Sequence, residues 1–216
     1  MFLSLLVALI LLVSAPLGVV DAAIQTVYIT PMSHLDIGFT ATQQQVAELQ
    51  KPILDEVIFF GQRLDDFCWT IEQFWQLEQW LEATDHPELV DDLLALVHNG
   101  QIEVGGSYGS MHSGFMAGEF ATRMLYPSLR FAEEHGVSID TVVQNDVPGY
   151  SRDLPSVLAG AGIKYFVTGI NTSLGVGGFD LPIDHNPFYW RGPDGKQVLT
   201  WVSRDSYMEG YSLNTV

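Results

Sequence analysis

The segment Ser33–Phe39 carries the side chains of this chain that are best suited to hold a metal ion. His34 and Asp36 are two residues apart, so in an extended backbone both side chains point to the same side. An imidazole nitrogen and a carboxylate oxygen suit zinc or a similar divalent cation. The same spacing is also found where a histidine pairs with an aspartate in an ordinary loop. The segment therefore predicts part of a metal site or a structural pair.

Two further acidic residues stand at the ends of apolar runs. Asp146 follows Thr141-Val142-Val143 and precedes a Pro-Gly pair, a position that fits a catalytic carboxylate as well as a turn residue or helix cap. Glu72 follows Trp69-Thr70-Ile71 and fits a substrate contact as well as a salt-bridge partner. Residue type alone leaves both alternatives open at each position.

Composition limits what the chain binds and how it holds a metal. With 9 Lys and Arg against 26 Asp and Glu, the net charge of −17 argues against nucleic acid or an anionic membrane surface as the main partner. Cys68 is the one cysteine of the 216 residues, which excludes an intrachain disulfide and a thiolate-based zinc site. Any metal must therefore be held by His, Asp, Glu or carbonyl oxygens.

The elements that position these residues alternate between apolar, β-branched runs and amphipathic stretches, which predicts an α/β protein with a parallel sheet. Predicted strands cover residues 26–30, 67–71, 102–104, 141–143, 165–167 and 197–202. Predicted helices cover residues 43–61, 74–83, 87–99, 120–135 and 154–161. The unusual polar residues follow the strands, and the carboxyl ends of parallel strands meet at one rim. These rim residues are His34, Asp36, Glu72, Ser107, Tyr108, His112, Asp146 and Asn171.

The N-terminal residues predict export. Residues 2–13 are almost all apolar, Pro16 and Gly18 break the run, and small residues follow at Ala22 and Ala23. This pattern predicts a cleaved signal peptide over residues 1–22, although the first residues lack Lys and Arg, and an uncleaved anchor is the alternative. We expect an extracytoplasmic protein, either secreted or periplasmic, with no stable membrane span after cleavage.

Five segments, in order, resemble the N-terminal catalytic domain of glycoside hydrolase family 38, the α-mannosidases. Residues 32–39 are similar to the family's H-S-H-N-D-x-G-W segment, and residues 144–151 to its Q-x-D-P-F-G-H-S segment. Residues 100–106 are similar to its G-x-I-E-x-x-G-G segment, and residues 69–81 and 188–196 also match. Phe39 replaces the family's Trp, and Val147-Pro148 replaces Pro-Phe, which indicates a divergent subgroup.

The resemblance implies a fold, a reaction and a set of roles. The fold is a parallel β/α barrel of the seven-stranded type, which residues 24–216 would form only in part, incomplete at the C-terminus. The reaction is hydrolysis of α-mannosidic bonds in mannose-containing glycans by a metal-dependent retaining enzyme. His34, Asp36 and Asp146 would bind Zn²⁺, and Asp146 would also be the nucleophile. Phe39, Glu72 and Tyr108 would contact the substrate.

The resemblance also places functional groups outside the chain. In the family, the acid/base Asp and a further metal-binding His come later, so we expect the 216 residues alone to be inactive and poorly stable. Two alternatives remain: a non-catalytic carbohydrate-binding homologue, or another metal-dependent carbohydrate enzyme such as a polysaccharide deacetylase. The latter usually pairs two histidines as H-x-x-x-H, a pattern this sequence lacks.

Overall fold

A computed structural model of the chain describes residue 26 and residues 28–116, 118–147, 149–169 and 187–203. The predicted signal peptide over residues 1–22 and the predicted rim residue Asn171 lie outside the described residues. The predicted domain 24–216 is described in part.

Four of the six described helices begin and end within one residue of the predicted bounds. They are α1 (Gln43–Gly61), α2 (Phe74–Ala83), α3 (Pro87–His98), α4 (Gly118–Arg123), α5 (Tyr126–His135) and α6 (Leu154–Gly160). The start of α1 has a local cause, because the Thr42 side chain accepts a hydrogen bond from the Gln45 backbone and the Gln45 side chain bonds back to the Thr42 backbone. Within the described ranges, no helix combines the length and the apolar character needed to cross a membrane.

The described strands form two sheets. They are β1 (Trp69–Ile71), β2 (Ile102–Val104), β3 (Thr141–Asn145), β4 (Tyr165–Gly169), β5 (Phe188–Arg191) and β6 (Gln197–Ser203). β1 and β2 pair in parallel, and the second sheet has the order β3-β4-β6-β5. The Gly106 N–H donates to the carbonyl of Thr141 at 2.8 Å, which brings the end of β2 beside the start of β3. The architecture is thus mixed α/β, with parallel neighbours through β1-β2 and β3-β4-β6.

The prediction of a wholly parallel sheet is wrong at β5, which pairs antiparallel to β6. Phe188–Arg191 and Gln197–Ser203 are joined by a tight turn in which Gly195 has φ +84°. A connection this short can join only antiparallel neighbours. The turn residues Gly192-Pro193-Asp194-Gly195 are the local signal for this hairpin.

Two other element predictions differ from the structure because of proline. No strand is assigned at residues 26 and 28–30; instead, Met32 forms an isolated parallel bridge with Thr70. Pro31 has no N–H and cannot donate a hydrogen bond to a neighbouring strand. Its carbonyl only accepts one, from the Thr70 N–H at 2.9 Å. The helix predicted over 120–135 is divided into α4 and α5, with Pro127 in the first turn of α5, where the missing N–H costs least.

Two apolar clusters lie between the strands and their helices. In the first, α1, α2 and α3 pack on β1 and β2, and in the second, α6 packs on β3, β4 and β6. Trp80 is fully buried in the first cluster and donates from Nε1 to Asp55 Oδ1 at 2.9 Å. Burial alone would raise the pKa of Asp55, but hydrogen bonds from Lys51 and Trp80 outweigh it and lower that pKa.

Candidate metal and substrate site

The structure brings together three of the predicted site residues, His34, Asp36 and Asp146. One ligand atom from each lies within 4.8 Å of the others, and all three side chains are half-buried. His34 Nε2 is 3.5 Å from Asp36 Oδ1. One imidazole nitrogen and two carboxylates, from the segment after the Met32 bridge and from the end of β3, form a donor set that a divalent cation accepts.

Hydrogen bonds on both sides hold the His34–Asp36 segment in place. On one side, Gln76 of α2 donates from Nε2 to the Ser33 carbonyl at 3.1 Å. On the other side, the Asp36 N–H donates to Thr40 Oγ1 at 3.1 Å, within a turn in which Gly38 has φ +94°. The His34 and Asp36 side chains lie on the same side of the segment, as their spacing predicts.

Asp146 reaches the same point through an unusual backbone conformation. Its φ is +59°, in the left-handed region, which among non-glycine residues Asp and Asn adopt most readily. Its N–H still donates to the carbonyl of Gly169 at 2.8 Å, so it closes the β3-β4 ladder before the chain turns. The turn ends β3 and presents the carboxylate to His34 and Asp36.

Glu72, for which the sequence left open a substrate contact or a salt-bridge partner, is fully buried and lies against His34. Its two carboxylate oxygens lie 2.8 and 3.1 Å from His34 Nδ1. Asn145 donates from Nδ2 to Glu72 Oε1 at 3.1 Å. The carboxylate is therefore engaged by two side chains of the protein, His34 and Asn145.

The electrostatics of the site favour positive charge. Burial alone would lower the pKa of His34, but the hydrogen bond and charge of Glu72, helped by the charges of Asp36 and Asp146, outweigh it and raise the pKa. Three carboxylates surround one imidazole, so the electrostatic potential at the site is negative. The same field that favours a proton on His34 favours a divalent cation at the three ligand atoms, and the residues present fit a metal.

The two aromatic residues predicted to contact substrate have different surroundings. Phe39 lies in the turn that follows Asp36 and is 90 % exposed, so its ring is open to a ligand. Tyr108 donates from its hydroxyl to Glu78 Oε2 on α2 at 2.6 Å. Burial and this bond raise the pKa of Tyr108 to about 12. The geometry leaves the Phe39 ring available and commits the Tyr108 hydroxyl to α2.

Sequence reasoning missed Asn145, which connects β3 to Glu72. The signal that could have found it is a polar side chain in the strand run that ends at Asp146. Of the other rim residues, Ser107 is buried and accepts from Gln144 Nε2 at 2.9 Å. His112 is exposed and begins a 3-10 turn over Ser113–Phe115.

Gly105 directly follows β2 and lies against the backbone of Ile71 and Glu72. We expect Gly105→Ala to destabilise the chain and displace Glu72. A Cβ there would collide with the Glu72 carbonyl oxygen and lie 2.9 Å from that of Ile71, both backbone atoms that cannot rotate away. Overpacking of this kind costs about 1–3 kcal/mol or more in the free energy of unfolding. Urea denaturation measures the loss. Gly114→Ala is the control, because its Cβ would have no described atom within 4 Å, and equal stability of the two variants would contradict the prediction.

Comparison with known proteins gives a consistent family match. Residues 24–215 match the N-terminal domain of glycosyl hydrolases family 38. The chain is 31% identical to alpha-mannosidase 2C1 of Homo sapiens over 86% of its length, and 29% identical to alpha-mannosidase G of Dictyostelium discoideum over 77%. It spans 18% and 15% of the lengths of these relatives, respectively.

A solved structure shares the fold. An alpha-mannosidase from Enterococcus faecalis superposes with a TM-score of 0.63 at 15% identity, over 83% of this chain and 20% of that one. At this identity, the similarity shows the fold alone.

Proposed function

The chain belongs to the N-terminal domain of glycoside hydrolase family 38, and on that premise we propose that the protein hydrolyses α-mannosidic bonds in glycans as a metal-dependent retaining glycosidase. The observation that carries the proposal is the convergence of His34, Asp36 and Asp146 within 4.8 Å. These are the residues that the motif resemblance assigns to metal and substrate chemistry, and they come from segments more than 100 residues apart in the chain.

His34, Asp36 and Asp146 are the residues that would hold Zn²⁺ or a similar divalent ion. When bound, the metal would act as a Lewis acid and a template for adjacent sugar hydroxyls, such as the cis pair that mannose offers at O2 and O3. His34 supplies the nitrogen ligand, and its ring is kept in place by the buried carboxylate of Glu72. Asp36 is the more open ligand, with 38% of its side chain exposed.

Asp146 is proposed as the nucleophile as well as a ligand. In a retaining mechanism, its carboxylate oxygen attacks the anomeric carbon while a second carboxylic acid protonates the departing glycosidic oxygen. The resulting ester between the sugar and Asp146 is then hydrolysed by water, with the second group acting as base. The left-handed backbone at Asp146 fixes the direction of its side chain, which reduces the cost of reaching an attacking geometry.

Phe39 is proposed as the sugar-stacking residue. Its exposed ring lies three residues after Asp36, on the turn adjoining the ligand group. The apolar face of a pyranose packs well on an aromatic ring, and such a contact orients the sugar without charge. A carbohydrate partner therefore fits both the open aromatic and the polar centre.

The seven-stranded barrel is proposed for the complete domain. Its support is the strand order, in which the Met32 bridge, β1 and β2 lead through Gly106 to β3, β4 and β6. On the face away from α6, the aromatic residues Tyr165, Tyr189 and Trp201 are 44, 65 and 40% exposed, as expected of a barrel interior that further strands would cover.

An extracytoplasmic location is also proposed. It is supported by the apolar run over residues 2–13 and the small residues that follow it.

The complete gene product, supplied with Zn²⁺, tests the proposed reaction on an aryl α-mannoside. We expect turnover that a chelator abolishes and Zn²⁺ restores, with the α-anomer as the first product seen by NMR. Inversion to the β-anomer would overturn the retaining mechanism. Binding of mannosides without hydrolysis would instead indicate the non-catalytic carbohydrate-binding alternative.

A further inference from the structure

We propose that Glu72 is a positioning residue of the metal centre, which holds His34 by Nδ1 so that Nε2 is the ligand atom, and that Asn145 holds Glu72 in turn. This inference rests on the metal site of the proposed function and assigns its supporting groups. Neither residue needs to touch the metal or the substrate for this role.

The first support is the bonding of His34. Both oxygens of Glu72 lie within 3.1 Å of Nδ1, while Nε2 is the ring nitrogen that faces Asp36. A carboxylate only accepts, so the proton of a neutral His34 belongs on Nδ1. The lone pair of Nε2 is then directed to the side on which the carboxylates gather. Metal-binding histidines are commonly oriented by such a carboxylate.

The second support is the burial of Glu72. Its side chain has no exposed surface, and a carboxylate taken out of water is costly unless partners compensate it. The partners on both sides are His34 and the amide of Asn145. Replacing a whole buried ion pair by apolar residues is often neutral or stabilising, so the presence of the pair at this position fits a functional demand on His34 better than a demand for stability.

The third support is the connection that Asn145 makes. It is the last residue of β3 and precedes Asp146, while Glu72 directly follows β1. The bond from Asn145 Nδ2 to Glu72 Oε1 therefore joins the strand end that carries one ligand to the residue that orients another. The same amide also lies 3.5 Å from Met32 Sδ, two residues before His34. This network of hydrogen bonds thus sets both the orientation of the His34 ring and its distance from Asp146.

Zinc titration of the complete gene product against a competing chelator tests this role. We expect Glu72→Gln, which keeps the shape but loses the charge, to weaken zinc binding about 10- to 100-fold. Glu134→Gln is the matched control, because Glu134 is exposed on α5, and it should bind as the original chain does. Glu72→Asp, which restores the charge, should recover part of the affinity. Equal affinity of the Glu72→Gln variant and the original chain would overturn the proposal.

A second measurement needs no variant. Long-range ¹H–¹⁵N NMR of the metal-free chain, at a pH where His34 is neutral, should show the proton on Nδ1. A proton on Nε2 would overturn the positioning role even if Glu72→Gln fails to fold. The failure of the proposed function looks different: if the complete gene product without substitutions binds no zinc, the metal centre is refuted, and the positioning role with it.

Discussion

Asp146→Asn is expected to lower α-mannoside hydrolysis by the complete gene product about 10⁴-fold or more, the scale on which removal of a nucleophile acts in other hydrolases. Asparagine has nearly the same shape as aspartate, but its amide does not attack the anomeric carbon and carries no charge for a metal. Asparagine also tolerates the left-handed backbone that this position requires, at φ +59°. The loss of activity should therefore come with little loss of stability.

The control for this variant is Asp153→Asn, the same chemical change at an exposed position seven residues further along the chain. Initial rates on an aryl α-mannoside and thermal melts followed by circular dichroism should be measured for both variants. Asp146→Asn should melt near the original temperature and be almost inactive, whereas Asp153→Asn should retain its rate. A variant at residue 146 that keeps more than about a tenth of the rate would contradict its role as nucleophile.

Trp80→Ala is expected to lower the free energy of unfolding by about 3–5 kcal/mol. The indole is completely buried among α1, α2, α3 and β1, and its removal leaves a cavity that the surrounding helices fill only in part. The change also removes the Nε1–H donor to Asp55 Oδ1. A loss of this size is a large part of the total stability of a small domain.

Urea denaturation followed by circular dichroism measures this effect. Trp80→Phe separates the two contributions, because it keeps most of the packing and loses the hydrogen bond, and we expect an intermediate loss. Phe115→Ala removes an aromatic ring that is 94% exposed and should change the free energy of unfolding by less than about 0.5 kcal/mol. A Trp80→Ala variant as stable as Phe115→Ala would refute the assignment of Trp80 to the core.

Much of the secondary structure follows from local sequence. The predicted bounds of α1 and α2 agree with the structure, and α3 ends one residue early, because apolar spacing and the Thr42 cap act within a few residues. The strands β1, β2, β3, β4 and β6 lie where apolar runs predict them, within two residues at most of their ends. The family assignment also came from residue patterns, and the match over residues 24–215 confirms it.

Pairing between strands was less accessible to prediction. β5 was missed and runs antiparallel to β6, while the N-terminal segment pairs at Met32 and not at the described residues 26 and 28–30. Backbone hydrogen bonds between strands depend on which strand lies alongside, and the sequence of a short apolar run does not specify that neighbouring strand. The seven-stranded barrel remains a prediction.

The residue types of the site were evident in the chain, since H-x-D and an Asp before Pro-Gly are local patterns. Their surroundings were decided by tertiary structure. Glu72 reaches His34 across 38 residues of sequence and Asn145 across 73, so only folding shows that this carboxylate is fully buried and bonded to the imidazole. Local patterns specify which groups exist, whereas the hydrogen-bond partner and the solvent exposure of a polar group depend on strands brought together from distant parts of the chain.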